Sequence, residues 1–364
     1  MQTRSHAGRQ SGMSLIELMI ALVISLVLMA GVISVFVSSK RSYGTNTAVA
    51  QVQEDARFAL NFITPTVRMA GYSGCGKSIN LTSILNGGLS AFNFGNGMGG
   101  YEAAGTNPGS TYVMGTSSST PFSPALDTSF AAAGIVPVQG SDVVVIYGTS
   151  GNPVAVNQFN PSNDTFKMVN GTPASNGLYN TEIGVITDCV KGDVFQMTNT
   201  TGSQVQHSKN NSIVPGNATG KFPDQFGANA QLVFPNTWLF YIGTGADGGS
   251  SLFQADLNGG GGNSLLPKEL VSGIDNMQVM YGIDPLGDGT TGYYTTADVV
   301  NTNNLWNNVI SVEIALLVRS APGAVAKPAT AVTYNLLGTS ITAPLDTCLR
   351  HVFTTTIGIR NRLQ

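Results

Sequence analysis

Gly71-Tyr72-Ser73-Gly74-Cys75-Gly76-Lys77-Ser78 satisfies G-x-x-x-x-G-K-[ST], the pattern whose backbone amides cradle nucleotide phosphates. That chemistry needs a buried strand before the loop and a helix after it, so that a helix N-terminus faces the phosphate. Here a helical pattern comes first, and the stretch from Ile79 to Gly88 is too short and β-branched to make a good helix. No apolar strand ends in an acid that could hold magnesium, because Asp142 begins its strand. A P-loop NTPase is therefore the remote reading. Gly95-Asn96-Gly97-Met98-Gly99-Gly100 fits G-x-G-x-x-G, but no strand–helix–strand unit surrounds it, and a glycine-rich loop is the plainer reading. Asp284-Pro285-Leu286-Gly287-Asp288-Gly289 resembles a calcium loop without its spacing, so a turn is favoured. Spacing alone does not decide whether Asp284 and Asp288 take calcium. Beyond the first 12 residues the histidines are His207 and His351, and there is no G-x-S-x-G. Cys75, Cys189 and Cys348 lie far apart with no C-x-x-C, which argues against zinc and for structural pairing. Three cysteines allow three pairings and leave one thiol over. No cofactor, metal or catalytic group is expected, and the chain reads as a non-enzyme.

A different chemistry sits at the N-terminus. Gly12-Met13-Ser14-Leu15-Ile16-Glu17 opens an uncharged apolar run from Leu18 to Ser39. About 20 apolar residues suffice to span a bilayer as a helix. A carboxylate just inside such a run costs roughly 2.5 kcal/mol or more in hydrocarbon, so Glu17 needs a purpose. Arg4 and Arg9 place the N-terminus in the cytoplasm. Lys40-Arg41 closes the span on the far side, where long basic side chains reach headgroups. An ordinary secretory signal fits poorly: its apolar core is shorter, and its cleavage site follows that core.

The elements that must carry these residues are legible in outline. Beyond the span, Val49, Val52, Ala56, Leu60, Ile63 and Val67 recur at spacings of three and four, a helical stripe. Span and stripe join into one helix from Met13 to Met69, about 85 Å at 1.5 Å per residue. Pro65 should kink or end it, and Gly44 is a second weak point. After Cys75 the pattern turns to strands at Asp142–Tyr147, Asp193–Met197, Trp238–Ile242, Met277–Tyr281 and Val309–Val318. Leu85–Gly134 reads as a long flexible loop with only Glu102 and Asp127 charged, and Asn258–Asn263 as a shorter one. Only 10% of residues are charged and 44 are glycine, which suits a β-rich extracytoplasmic head better than a cytosolic enzyme. A net charge of −3 without a basic run gives no reason to expect nucleic-acid binding.

Gly12 followed by Glu17 at the edge of an apolar run resembles the class III signal of type IV pilins. The resemblance implies a cut by a prepilin peptidase between Gly12 and Met13, N-methylation of Met13, and an assembly role for Glu17. Met13 replaces the usual Phe, and Ser14 the commoner Thr. The head narrows the likeness to the PilW family of minor pilins. It is carried by Lys40–Tyr43, Arg57–Leu60, Arg68–Cys75, Thr187–Cys189, Asp193–Phe195, Leu270–Asp284, Trp306 with Val309–Ser320, and Val352–Arg362, everywhere except Leu85–Gly134. The family implies an α+β pilin fold, a long N-terminal helix packed on a β-rich head with an antiparallel sheet. Its expected parts are a leader over 1–12, a transmembrane helix over 13–39, its amphipathic continuation over 40–70 and the head over 71–364. The family's own cysteine positions imply a Cys75–Cys189 disulfide. The implied function is a minor pilin of the inner membrane, N-terminus cytoplasmic and head periplasmic, later built into the extracellular pilus. Its implied partners are other minor pilins, the major pilin and a tip adhesin, and it would help to prime assembly, with motility, adhesion or DNA uptake downstream. The alternative is a minor pseudopilin of a type II secretion system.

Overall fold

One helix, α1 (Leu15–Arg68), runs for 54 residues without interruption at Gly44. At 1.5 Å per residue it is about 81 Å long. The computed structural model describes residues 12–75, 79–87, 90–160, 165–169, 180–227, 229–257 and 265–363. Pro65 falls in the last turn of α1, and the helix closes at Arg68 with the Met69 N–H reaching the carbonyls of Pro65 and Thr66. Proline ends this helix rather than kinking it, because no further turns follow in which its missing donor would be felt. The first half of α1 is exposed along its whole length, apolar side chains from Leu15 to Phe36 included. The second half buries Ala48, Val52, Ala56, Ala59, Ile63 and Val67. That face differs from the expected stripe at Val49, which is exposed, and at Leu60, which is only half-buried. Alanines at 48 and 59 take the inward places instead, where a small side chain lets the helix lie close to the sheet.

In chain order the head's first half forms β1 (Asn80–Ser83), β2 (Met98–Ala103), β3 (Thr111–Val113), β4 (Phe122–Ser123), the short helix α2 (Thr128–Ala132), β5 (Val143–Asn160), β6 (Thr165–Met168), β7 (Ile183–Thr187), β8 (Lys191–Gln196), β9 (Asn199–Thr201) and β10 (Gln204–Gln206). The second half adds β11 (Gln231–Thr244), β12 (Ser250–Asp256), β13 (Leu266–Ser272), β14 (Ile274–Ile283), β15 (Tyr293–Thr295), the short helix α3 (Ala297–Thr302), β16 (Val309–Arg319), β17 (Thr333–Leu336), β18 (Thr339–Thr342) and β19 (Arg350–Gly358). Among the described residues these pair into a 12-stranded sheet centred on β5 and β11, a four-stranded sheet in the order β15-β14-β16-β19, and a three-stranded sheet in the order β17-β18-β3. Pairing is antiparallel except for β1 with β8 and β18 with β3.

The four-stranded sheet holds the helix. Val52, Ile63 and Val67 of α1 share a core with Met277, Val279, Val312, Ile314, Leu316 and Val318 of β14 and β16. On the opposite face of β16, Ala315 and Leu317 pack against Leu336 and Ile341 of the three-stranded sheet. A strand covered on both faces reads as a near-continuous apolar run, which explains Val309–Val318.

The stretch 85–134, expected as a loop, carries β2, β3, β4 and α2. β2 pairs with β5 from Met98↔Ile146 to Tyr101↔Val143, and Met98 and Phe130 are wholly buried. Its glycines are packing residues. A Cβ on Gly100 would run into the Tyr281 hydroxyl, so a strand that looks like a glycine loop is one that large neighbours lie across. The run Asn258–Asn263 lies outside the described residues.

Ile63 is fully buried between helix and sheet. Ile63→Ala is expected to destabilise the chain by about 2–5 kcal/mol, read as a lower urea midpoint with an unchanged denaturant slope in the detergent-solubilised protein.

Candidate functional site

The segment around Gly12 and Met13 is exposed and stands just ahead of α1. Ser14 is the N-cap, in an extended conformation. Its Oγ accepts the Glu17 N–H at 3.2 Å, while Glu17 Oε2 accepts the Ser14 N–H at 2.9 Å and the Ser14 hydroxyl at 3.1 Å. This reciprocal capping box satisfies donors that a helix start leaves unpaired, and the carboxylate sits where the helix dipole favours negative charge. Ser14-x-x-Glu17 is a readable S-x-x-E pattern, although the sequence reasoning above took only Glu17 from it. The fold thus brings Glu17 onto the backbone next to Met13, the residue whose amine a cut after Gly12 would release.

Where helix meets head, Cys75 and Cys189 are joined, with Cα atoms 5.4 Å apart. The turn between β7 and β8 delivers Cys189. Thr187 Oγ1 accepts the Cys189 N–H, and Asp188 Oδ1 accepts the amides of Val190 and Lys191. Cys189 adopts a positive φ of 67°, which the Asp-anchored turn supports. On the other side Gly74 has φ +83°, and a Cβ there would stand 2.7 Å from Val233 Cγ1, so the chain enters the bridge through a position open only to glycine. Gln231 Nε2 faces both sulfurs at 3.6 and 3.5 Å. Cys348 is free and buried.

Segments far apart in sequence converge at the end of α1. The Arg360 N–H donates to the Arg68 carbonyl at 3.0 Å, and the Gly71 N–H donates to Tyr147 O at 2.8 Å. Arg362 donates from its guanidinium to the carbonyls of Trp306, Val309 and Asn96. Burial in this carbonyl cage lowers the Arg362 pKa to about 10. Gly97 belongs to the same knot: with φ +68°, a Cβ on it would press on both Arg362 Nη2 and Gly71 Cα at 2.9 Å. Sequence reading missed Gly97 as a structural residue because its surroundings imitate a nucleotide fingerprint.

The remaining candidates resolve as structure. Gly71–Cys75 follows a helix and leads to strand β1, with Cys75 held in the disulfide, so no strand–loop–helix cradle exists; Gly76–Ser78 lie outside the described residues. Gly95–Gly100 runs into β2 itself. The Asp284 carboxylate accepts four backbone amides, from Leu286 through Gly289, at 2.7–3.3 Å. Burial would raise its pKa, but these donors outweigh it and hold the carboxyl below its ordinary value. Its oxygens are thus turned to the loop's own backbone, and among the described residues no His/Cys/Asp/Glu group is placed to hold a metal. His207 is buried against Phe222 at 3.9 Å between ring centroids, and His351 lies exposed on β19.

The four-stranded sheet and the capped start of the apolar helix are the parts that similarity to known families reaches. Residues 239–361 match the family model of type IV pilus-assembly protein W, and residues 8–33 match the prokaryotic N-terminal methylation motif. Over these stretches the chain is similar to the PilW proteins of type IV pilus assembly and to N-methylated prepilins. No curated protein and no solved structure matches it. The first match runs from within β11 to Asn361 and contains the whole sheet on which α1 rests.

The disulfide closes a separation of 114 residues. In the chain-entropy model such a link restrains the unfolded state by roughly 4–5 kcal/mol. Alkylation of unfolded but unreduced periplasmic protein is expected to label Cys348 alone, with a Cys75–Cys189 peptide in the non-reducing map. Cys75→Ser with Cys189→Ser is expected to lower the unfolding midpoint.

Proposed function

We propose that this chain is a minor pilin of a type IV pilus. It is held in the inner membrane by the first half of α1, cut by prepilin peptidase between Gly12 and Met13, N-methylated on Met13, and built into the pilus with other minor pilins and the major pilin. Its contribution is structural: it helps to prime assembly, and a tip adhesin is among the partners this role implies. The observation that carries the reading is a pilin-type signal placed on a single capped helix whose apolar first half is exposed while its second half anchors a head. Motility, adhesion or DNA uptake would follow from the assembled fibre.

The uncovered face of α1 supports assembly. Phe58, Phe62, Pro65 and Met69, at helical spacing, all stand exposed opposite the face packed on the head. That stripe suits an apolar helix from a neighbouring subunit. Glu17 then has two uses. In the single chain it caps its own helix, and within a bundle of such helices it pairs with the N-terminal amine of a neighbour, since a buried carboxylate left unpaired in low dielectric is costly.

Mass spectrometry of the mature chain should find N-methylated Met13 at its start; a start elsewhere would overturn the pilin reading. Glu17→Ala should still insert and be cut, yet be depleted from sheared pili, and normal abundance there would count against the pairing role. Recovery of the wild-type chain in the sheared fraction distinguishes a pilus subunit from the pseudopilin alternative, as does a gene neighbourhood of minor pilins rather than secretion genes.

A further inference from the structure

Among the described residues, the joint between the 12-stranded and four-stranded sheets is built around acids with no base. Asp142, directly ahead of β5, is buried and staples the two sheets together. Its Oδ1 accepts the Ala103 N–H of β2 and its Oδ2 the Val279 N–H of β14, both at 2.8 Å. Glu102 of β2 stands beside it, only 2% exposed. The Thr106 hydroxyl reaches Glu102 Oε1 at 3.4 Å and the Ala297 N–H of α3 also meets the carboxyl, but Oε2 has no hydrogen-bond partner. The Tyr281 hydroxyl of β14 enters the same joint over Gly100, and it too is buried without a partner.

The groups acting on Glu102 from the elements around it are Asp142, Asp298 of α3, the Thr106 hydroxyl and the Ala297 N–H; none is Lys, Arg or His. Asp275 shows the contrast, since Arg319 and Arg350 meet its two oxygens at 2.9 and 2.7 Å. Like charges crowded at a buried joint cannot all persist, and one carboxyl must take up a proton. Asp142 has two amide donors that favour its charged form, whereas Glu102 keeps an oxygen that meets nothing. Burial first, then the Asp142 and Asp298 charges, drive the Glu102 pKa up to about 10. Asp142 is raised by burial as well, with its amide bonds working against the shift.

We propose that Glu102 is a proton-operated latch: while protonated it lets β2 and β14 close on Asp142, and its ionisation loosens the joint between the two sheets. The latch is independent of the assembly role. Its sign follows from linkage. The native pKa of Glu102 lies above the ordinary value of 4.5, so the native chain holds a proton that the unfolded chain releases. The stabilisation is complete below that ordinary value and is lost as pH rises toward about 10. The head therefore tightens in mild acid and loosens in alkali, the opposite of a protein held by paired carboxylates.

Thermal unfolding of the full chain in detergent, from about pH 5 to about pH 9, reads the latch directly. The Glu102 contribution should make the wild-type Tm fall across that whole range. Glu102→Gln, neutral and nearly isosteric, should flatten the profile there and exceed wild type at its alkaline end. Parallel profiles for the two proteins would overturn the proposal. Should Glu102→Gln fail to fold, infrared titration of wild type and Asp298→Asn keeps the question decidable. A buried protonated-carboxyl band should be present at neutral pH, vanish in alkali, and vanish at lower pH in Asp298→Asn, where one repelling charge is gone. Absence of that band at neutral pH, or its indifference to Asp298→Asn, would overturn the proposal.

Discussion

A single uninterrupted helix has to answer to two surroundings, and the rest of the molecule is arranged around that demand. In hydrocarbon, backbone groups must be satisfied within the segment itself, and the exposed apolar first half of α1 is long enough to meet that requirement as a helix. Because the ladder does not break at Gly44, the same geometry is carried onward to the head. There the burden shifts from composition to face: Ala48, Val52, Ala56, Ala59, Ile63 and Val67 form one inward line, and small residues at three of those positions set how closely the helix lies on β16 and β19. β16 is consequently covered on both sides, by the helix core and by the three-stranded sheet.

The end of α1 is where the helix passes control to the sheets. Three devices hold it, each of a different physical kind. A backbone bond from Arg360 caps the last turn, a guanidinium in a cage of carbonyls draws Asn96, Trp306 and Val309 together, and a disulfide ties the exit segment to the β7–β8 turn. Gly74 and Gly97 are needed because the approach of neighbours leaves no room for a side chain. The knot therefore depends on positions that look unremarkable or misleading in isolation, and Gly71–Cys75, the start of a nucleotide-loop pattern, serves as a neck.

Charge in the head is distributed unevenly. The Asp275 site has two arginines, one of which also grips Asp346 through both guanidinium nitrogens at 2.8 and 2.6 Å. A buried pair of this kind is costly to break, since removing one partner strands the other. The inter-sheet joint is the reverse case, where acids meet amides, hydroxyls and one another. One site answers its charges with ion pairs, and the other holds them in check with a proton.

Properties that depend on local chemistry were readable from residue order alone. The apolar run before Lys40, the Ser14/Glu17 start, the three-and-four spacing after Val49 and the strands near Val143, Trp238, Met277 and Val309 all report a backbone preference or a solvent. The α+β architecture follows from them. What tertiary structure alone decided depends on contacts between distant positions. It rotated the helix stripe off Val49 and onto Ala48 and Ala59, because the sheet selects the face that fits rather than the most apolar one. It turned glycine-rich Met98–Ala103 into a core strand, where Tyr281 fills the space that a side chain at Gly100 would have occupied. It also set Glu102, Asp142 and Asp298, scattered along the chain, around one joint. A residue's own sequence window says nothing about the charge that will face it once the chain has folded.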